Sequence, residues 1–254
     1  MDLGLSGKNA IIGASSQGLG FACAVELIRE GANVLICGRT ESVLKEAHKE
    51  LEAMNGGNVY SIAADLASRA GTQSVLDYAA QVFSHTDILI TNTGGPPPGP
   101  FESHDLDAWE ATYRLLLESA VAMMRGVVPS MKERKAGRII AITSSAVKQP
   151  LNGLILSNAV RASVTGLCKS LSNELGGYGI TVNTVMPGFT RTNRIKSLLI
   201  SPEAEKHICA EIPLGRVGEP EEFAAMVTFL ASERASFITG QSIAVDGGSI
   251  KSLL

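Results

Sequence analysis

The first residues of this 254-residue chain whose types and spacing could do chemistry are Gly13-Ala14-Ser15-Ser16-Gln17-Gly18-Leu19-Gly20. They join a short β-rich apolar run to an apolar helical pattern. In that setting small residues let backbone N–H groups come close to an anion, and the helix dipole turns its positive end towards it. Ser15, Ser16, Gln17, Gly18, Leu19 and Gly20 are therefore expected to cradle a dinucleotide pyrophosphate. Glycines also serve ordinary tight turns; it is the strand-turn-helix context that favours a ligand. Nineteen residues after Gly20, where an acid would bind the ribose 2′-hydroxyl of NAD, stands Cys37-Gly38-Arg39. A guanidinium at Arg39 suits a 2′-phosphate, which makes NADP(H) the expected cofactor; a solvated surface arginine is the alternative.

A second suggestive segment is Gly94-Gly95-Pro96-Pro97-Pro98-Gly99-Pro100-Phe101. Prolines stiffen such a loop and glycines let it turn close to a ligand. At the carboxyl end of a strand it should border a substrate, the plainer alternative being a rigid connection. Cys23, Cys37, Cys168 and Cys209 have no CxxC spacing and sit mostly in apolar segments, which argues against zinc and against a disulfide framework. His48, His85, His104 and His207 show no metal-ligand spacing and read as surface residues, so no metal is expected.

The elements that must position these residues alternate between short β-rich runs and longer helical patterns, the spacing of βαβ units. Strands are expected over residues 9–13, 33–37, 59–63, 88–92, 138–143, 181–185 and 242–245, and helices over 18–30, 41–54, 72–83, 107–133, 157–175 and 220–231. Most strand runs are continuously apolar, as parallel strands covered on both faces should be. Pro220 with Glu221 and Glu222 marks a helix start, and Ser201-Pro202-Glu203 opens a shorter helix inside the long excursion after Pro187. Two helices carry surplus apolar residues, Leu115, Leu116, Leu117, Ala120, Val121, Met123 and Met124 on one, and Val160, Val164, Leu167 and Leu171 on the other. They suggest a subunit interface, with burial inside the monomer as the alternative.

Composition narrows the class. With 45% hydrophobic and 19% charged residues, where about 25% charged is ordinary, the chain can bury a large core. A net charge of −3 gives no general attraction to nucleic acid or anionic lipid. The amino terminus lacks a basic region followed by a long apolar stretch, and no segment has about 18 uninterrupted apolar residues. A cytoplasmic protein with no membrane or nucleic-acid partner is expected.

The glycine turn, Ala64-Asp65-Leu66, Thr91-Asn92-Thr93-Gly94, Gly137-Arg138-Ile139-Ile140, Gly179-Ile180-Thr181-Val182-Asn183, Pro187-Gly188, Pro213-Leu214-Gly215-Arg216 and Val245-Asp246-Gly247-Gly248 together span nearly the whole chain. In these motifs the sequence resembles the short-chain dehydrogenase/reductase family, with a pattern closest to its 3-oxoacyl-acyl-carrier-protein reductases. The resemblance implies an α/β fold: a single Rossmann-type, doubly wound domain over residues 1–254, with a seven-stranded parallel sheet and usually a homotetramer built on the two apolar helices. It also implies that Asp65 and Leu66 border the adenine, Asn92 and Gly94 the adenine ribose, and Pro187, Gly188 and Thr192 the nicotinamide carboxamide. Ala14 replaces a family glycine, and its methyl fits if φ stays negative.

The resemblance further implies a catalytic serine, tyrosine, lysine and asparagine. Ser144 matches the serine, but the Tyr-x-x-x-Lys position reads Ser157-Asn158-Ala159-Val160-Arg161, and the asparagine falls on Leu116. A phenol can be tuned towards neutrality by a nearby cation, whereas a serine hydroxyl is a far weaker acid. Arg161 keeps the charge one helical turn from Ser157 and can bond ribose hydroxyls, but it cannot share a proton. The candidate catalytic set is therefore Ser144, Ser157 and Arg161, with Lys148, Tyr113 or water as other proton sources. Arg191, Arg194 and Lys196 open the long excursion and would favour an anionic substrate or an acyl-carrier partner. Two functions follow. One is an NADP(H)-dependent oxidoreductase interconverting a small-molecule carbonyl and an alcohol by an atypical mechanism. The other is a catalytically impaired dinucleotide-binding sensor or partner subunit.

Overall fold

The computed structural model describes residues 2–196 and 201–253. Seven strands, β1 (Asn9–Ile12), β2 (Asn33–Gly38), β3 (Val59–Ala63), β4 (Ile88–Thr91), β5 (Gly137–Ile142), β6 (Ile180–Pro187) and β7 (Ser242–Val245), form one parallel sheet in the order β3-β2-β1-β4-β5-β6-β7. All seven expected strands are present, most of them within a residue or two of their expected ends. The central strands β1 and β4 are buried along their whole length, which is why they read as unbroken apolar runs.

Helices cover both faces. One core packs α1 (Gly18–Arg29), α2 (Glu41–Glu52) and α9 (Pro220–Ala231) on the sheet. The other packs α3 (Arg69–Val82), α5 (Ser119–Arg134) and α6 (Ile155–Leu175) on the opposite side. Helix α9 starts as expected, with Pro220 in its first turn and the Glu219 N–H donating to the Glu222 carboxylate at 2.8 Å. The excursion after β6 holds α7 (Asn193–Lys196) and α8 (Pro202–Ala210), and the latter opens at the expected Ser201-Pro202 step.

One expectation fails. The stretch read as a single helix over residues 107–133 divides into α4 (Leu106–Tyr113), a π turn (Arg114–Glu118) and α5. On the two sides of the wide turn the hydroxyls of Thr112 and Ser119 donate to the carbonyls of Ala108 and Leu115. Such hydroxyl bonds to carbonyls four residues back compete with the ordinary ladder and bend a helix. Helix α3 starts three residues early because the Ser68 hydroxyl accepts the Gly71 N–H at 3.0 Å.

Chain order reverses between β1 and β4, which leaves a crevice outside their carboxyl ends. At the opposite end of these strands, Asp87 accepts the Asn9 N–H and a bond from Arg134 Nη1, both at 2.9 Å. This ties β1, β4 and α5 together well away from the crevice.

Candidate active site

The glycine turn crosses the crevice directly after β1. Ser15 anchors it: the side chain is fully buried, donates to the Ile12 carbonyl at 2.7 Å and accepts the Cys37 N–H at 3.0 Å. Its own N–H is spent on the Cys37 carbonyl at 2.8 Å. Ser15 therefore has no donor left for a pyrophosphate and acts by tying the turn to β2, which corrects the expectation of direct contact. A Cβ at Gly20 would lie 2.6 Å from the Ala14 carbonyl oxygen and 2.9 Å from Asn92 Nδ2, so only glycine lets α1 start this close to the crevice. The Asn92 amide donates to that same carbonyl at 3.2 Å, fastening the end of β4 to the turn. Ser16, Gln17, Gly18 and Leu19 stay at the surface side of the turn.

Ala14 is held at φ +42°, so the condition that its φ stays negative is not met. An L-residue pays about 1–2 kcal/mol in the left-handed region. Ala14→Gly is accordingly expected to raise stability by about 1 kcal/mol, read as a higher denaturant midpoint at unchanged slope.

The other expected cofactor contacts surround this turn. Arg39 is exposed at the end of β2 and has no ion-pair partner among the described residues. A Cβ at Gly38 would meet Ser16 Oγ at 2.6 Å, so the bare glycine lets the turn sit beside Arg39. Leu66 is buried, while Asp65 is exposed and accepts the Ala67 N–H at 3.1 Å. From the far side, the Thr192 methyl lies 3.7 Å from the Cβ position of Gly18, and Asn193 Nδ2 donates to Gln17 Oε1 at 3.1 Å. Pro187 and Gly188 precede this contact; a Cβ at Gly188 would lie 2.7 Å from Asp246 Cα, fixing the two turns together. Gly94 is exposed on open space. Helix α1 has no acid in its first turn, and the crevice above it is kept open by glycines. These features fit a dinucleotide, whose phosphates would lie on α1 with Arg39 at the ribose end.

A narrow cleft between the strand ends and α5 and α6 is lined by Gly13, Leu66, Asn92, Leu116, Thr143 and Arg161, among others. Arg161 reaches into it from α6, and its Nη1 donates to the Ile142 carbonyl at 3.2 Å. Leu116 is 3% exposed and forms part of the apolar wall, seated in the π turn. Ser144 and Ser157 are not on the wall of this cleft. Ser144 caps a short turn, its Oγ accepting the Ala146 N–H at 3.1 Å, which leaves its O–H free to donate. Ser157 is 7% exposed in the first turn of α6, and its hydroxyl has no hydrogen-bond partner among the described residues. Sequence reasoning missed Thr143. The adjacent hydroxyls Thr143, Ser144 and Ser145 at a strand end were the available signal.

The proline-rich loop bends back on the segment before α6, where the Gly99 N–H donates to the Gly153 carbonyl at 2.7 Å. Lys148 is exposed and Tyr113 is 50% exposed, and like Ser144 and Ser157 neither lines this cleft. Tyr60 packs edge-on against Phe83, and Tyr178 lies under Lys132. His85 pairs with Asp87 at 3.2 Å, and His48 and His104 each bury a ring nitrogen, so these three are less exposed than expected; His207 is on the surface. Burial pushes the thiols of Cys37 and Cys168 up to about 11 and about 12, which keeps them inert, and Cys23 is raised the same way. Among the described residues no group of three metal-ligating side chains converges.

Arg191 is clamped by Glu205 at 2.8 Å and Glu219 at 3.1 Å, both of which hold its guanidinium firmly charged and partly cancel its field. It is not a free cation at the pocket mouth. The side chains of Arg194 and Lys196 lie outside the described residues.

A glycine turn at the first βα junction and an open crevice at the topological switch define a dinucleotide-binding Rossmann-type protein. A family model described as enoyl-(acyl carrier protein) reductase matches residues 13–249. The chain is 35% identical over 250 residues to 2,3-dihydroxy-2,3-dihydro-p-cumate dehydrogenase of Pseudomonas putida, covering 97% of this chain and 96% of that protein. It is 32% identical over 246 residues to 3-oxoacyl-acyl-carrier-protein reductase of Salmonella typhimurium, covering 97% and 98%. Among solved structures it resembles L-sorbose reductase of Gluconobacter frateurii complexed with NADPH and L-sorbose, with a TM-score of 0.95, 32% identity and full coverage of both chains. The chain belongs to the short-chain dehydrogenase/reductase family.

Proposed function

We propose that this chain is an NADP(H)-dependent oxidoreductase that interconverts a small-molecule carbonyl and an alcohol without the usual phenol. The observation that carries the reading is a cofactor cradle in which Gly13, Gly20 and Gly38 leave no room for a Cβ, beside an exposed Arg39 that has no ion-pair partner among the described residues. The NADPH complex of the sorbose reductase supports the choice of cofactor. When bound, the reduced nicotinamide supplies a hydride. This chain's own residues have narrower roles. Ser144 donates a hydrogen bond to the substrate oxygen, Ser157 offers a second hydroxyl, and Arg161 holds positive charge against the ribose and the developing alkoxide. Neither serine is acid enough to serve as the proton source, so water completes the reaction.

The working unit is read as one dinucleotide-binding domain in the cytoplasm. Among the described residues no helix is long and apolar enough to cross a membrane. Leu116, Ala120, Met123, Met124, Val160 and Val164 are buried within the subunit, which leaves Leu115, Leu117, Val121, Leu167 and Leu171 half-buried for an interface. A homotetramer through these helices predicts a fourfold mass by light scattering at micromolar concentration; a monomer refutes it.

Turnover is tested with NADPH against ketones, aldehydes and α,β-unsaturated carbonyls, neutral and anionic. Oxidation of NADPH with a defined product supports the reading. Tight NADPH binding with no turnover on any of them moves the function to a sensor or partner subunit.

A further inference from the structure

The chain has two Asn-Gly steps, Asn55-Gly56 and Asn152-Gly153, and all four residues are exposed. Such a step is chemically vulnerable. Glycine has no Cβ to keep its backbone nitrogen away from the asparagine side chain, and asparagine is among the residues that heat degrades. The fold holds these two identical steps differently.

Asn55 is fixed. It follows the end of α2 at φ +53°, its N–H donates to the Glu52 carbonyl at 3.3 Å, and its side-chain amide donates to the Ala53 carbonyl at 3.1 Å. The glycines beyond it are wedged, since a Cβ at Gly56 would run into the Ile28 carbonyl and one at Gly57 into that of Ala32. Asn152 and Gly153 are instead the central residues of a turn closed by the Leu154 N–H on the Leu151 carbonyl at 3.3 Å, with Gly153 at φ +72°. Asn158 Nδ2 holds the Leu151 carbonyl at 2.9 Å, and the Gly99 N–H holds that of Gly153 at 2.7 Å. Between these two anchors, neither the Asn152 side chain nor the Gly153 N–H has a hydrogen-bond partner among the described residues. A Cβ at Gly153 would meet nothing within 4 Å.

We propose that Asn152 is a modification site, where the chain deamidates spontaneously to isoaspartate and aspartate faster than it does at Asn55. The Gly153 nitrogen loses its proton to solvent and attacks Asn152 Cγ; a C–N bond forms and ammonia leaves. Water then adds to either carbonyl of the resulting succinimide, and the bond from that carbonyl to the ring nitrogen breaks. One water is consumed and one ammonia released, with no change of oxidation state. Residue 152 lies between Ser144 and Ser157, on the segment that seats the proline-rich loop. The product adds a negative charge there. Isoaspartate also lengthens the main chain by one carbon, which carries the Gly153 carbonyl off the Gly99 N–H. The modification does not depend on the proposed activity.

The full-length wild type and Asn152→Gln test it, aged at mildly alkaline pH and mapped by peptide mass spectrometry, with isoaspartate counted by enzymatic methylation. The Asn152 peptide should convert about three- to tenfold faster than the Asn55 peptide, the factor that one retained hydrogen bond supplies. In denaturant the two rates should converge, and Asn152→Gln should lose most of the acidic form that ion exchange separates from the aged wild type. Aged protein with Asn152 intact, equal rates in the native state, or a difference that survives denaturant each overturns the assignment. Hydrogen exchange reads the consequence: residues 94–101 should exchange faster in the isoaspartyl form than in the fresh protein, whereas Asn152→Asp, which brings the charge without the extra carbon, should stay slow. Equal exchange in the isoaspartyl and fresh forms overturns the effect on the proline-rich loop.

Discussion

A chain carrying Ser157→Tyr, Arg161→Lys and Leu116→Asn together is expected to reduce carbonyls about 10²–10⁴ times faster than the wild type, the usual contribution of general acid catalysis. Ser157 and Arg161 stand one turn apart near the start of α6, and Arg161 already reaches the end of β5 where Ser144 follows. A phenol at 157 would leave the helix from the same place, beside a segment in which Asn152 and Gly153 are exposed and able to yield. Lysine at 161 loses the bond from Nη1 to the Ile142 carbonyl but regains an ammonium that lowers the pKa of a neighbouring phenol. Steady-state rates of wild type and triple variant over one carbonyl panel decide the matter. A gain identifies a site that has lost its acid. Loss of an existing wild-type activity would mean that the space at Ser157 belongs to the substrate. A folded, NADPH-binding variant that remains inactive, like its parent, would show that the template positions do not apply.

Arg39→Ala should remove the preference for NADP(H) over NAD(H). Arg39 stands exposed at the carboxyl end of β2 with no ion-pair partner among the described residues, so a 2′-phosphate would meet an unneutralised guanidinium. A charge-assisted contact of this kind is worth about 1.5–3 kcal/mol, equivalent to roughly 10- to 150-fold in affinity. Titrations of the four nucleotides should show NADPH weakened by that factor and NADH little changed. They should also show the gap closing as salt is raised, because an exposed pair is screened. Equal affinities in the wild type would remove the assignment of Arg39.

The strands were legible because a parallel sheet covered on both faces demands unbroken apolar runs, and Ala10, Ile11 and Ile12 or Ile88, Leu89 and Ile90 can be nothing else in this spacing. The glycine turn was legible for a related reason: the backbone of Asn92, just after β4, and of Ala14 leaves no room for a Cβ at Gly13 or Gly20. What could not be read were properties set by partners distant in sequence. Ser15 looked available for a ligand until the Cys37 carbonyl, in the next strand, took its N–H and the Ile12 carbonyl its hydroxyl. Arg191 looked like a free charge until Glu205 and Glu219 closed on it. The sign of φ at Ala14 follows from the whole turn rather than from the residue, and the break at residues 114–118 follows from hydroxyls that look unremarkable in a helical pattern.

That break has a bearing on how chains of this kind can change length. An α-helix repeats its bond at every fourth residue, while the stretch Arg114–Glu118 closes over five, so it carries one residue more than the helical path requires. Losing a single residue there would let the wide turn relax into ordinary helix and leave α5, braced at its far end by Arg134 on Asp87, where it is. The residue facing the cleft at 116 would then be replaced by a neighbour in one step, with no substitution at all. The wall opposite Arg161 can thus be exchanged by slippage of the chain as readily as by mutation, and the foundation of the sheet would not register the difference.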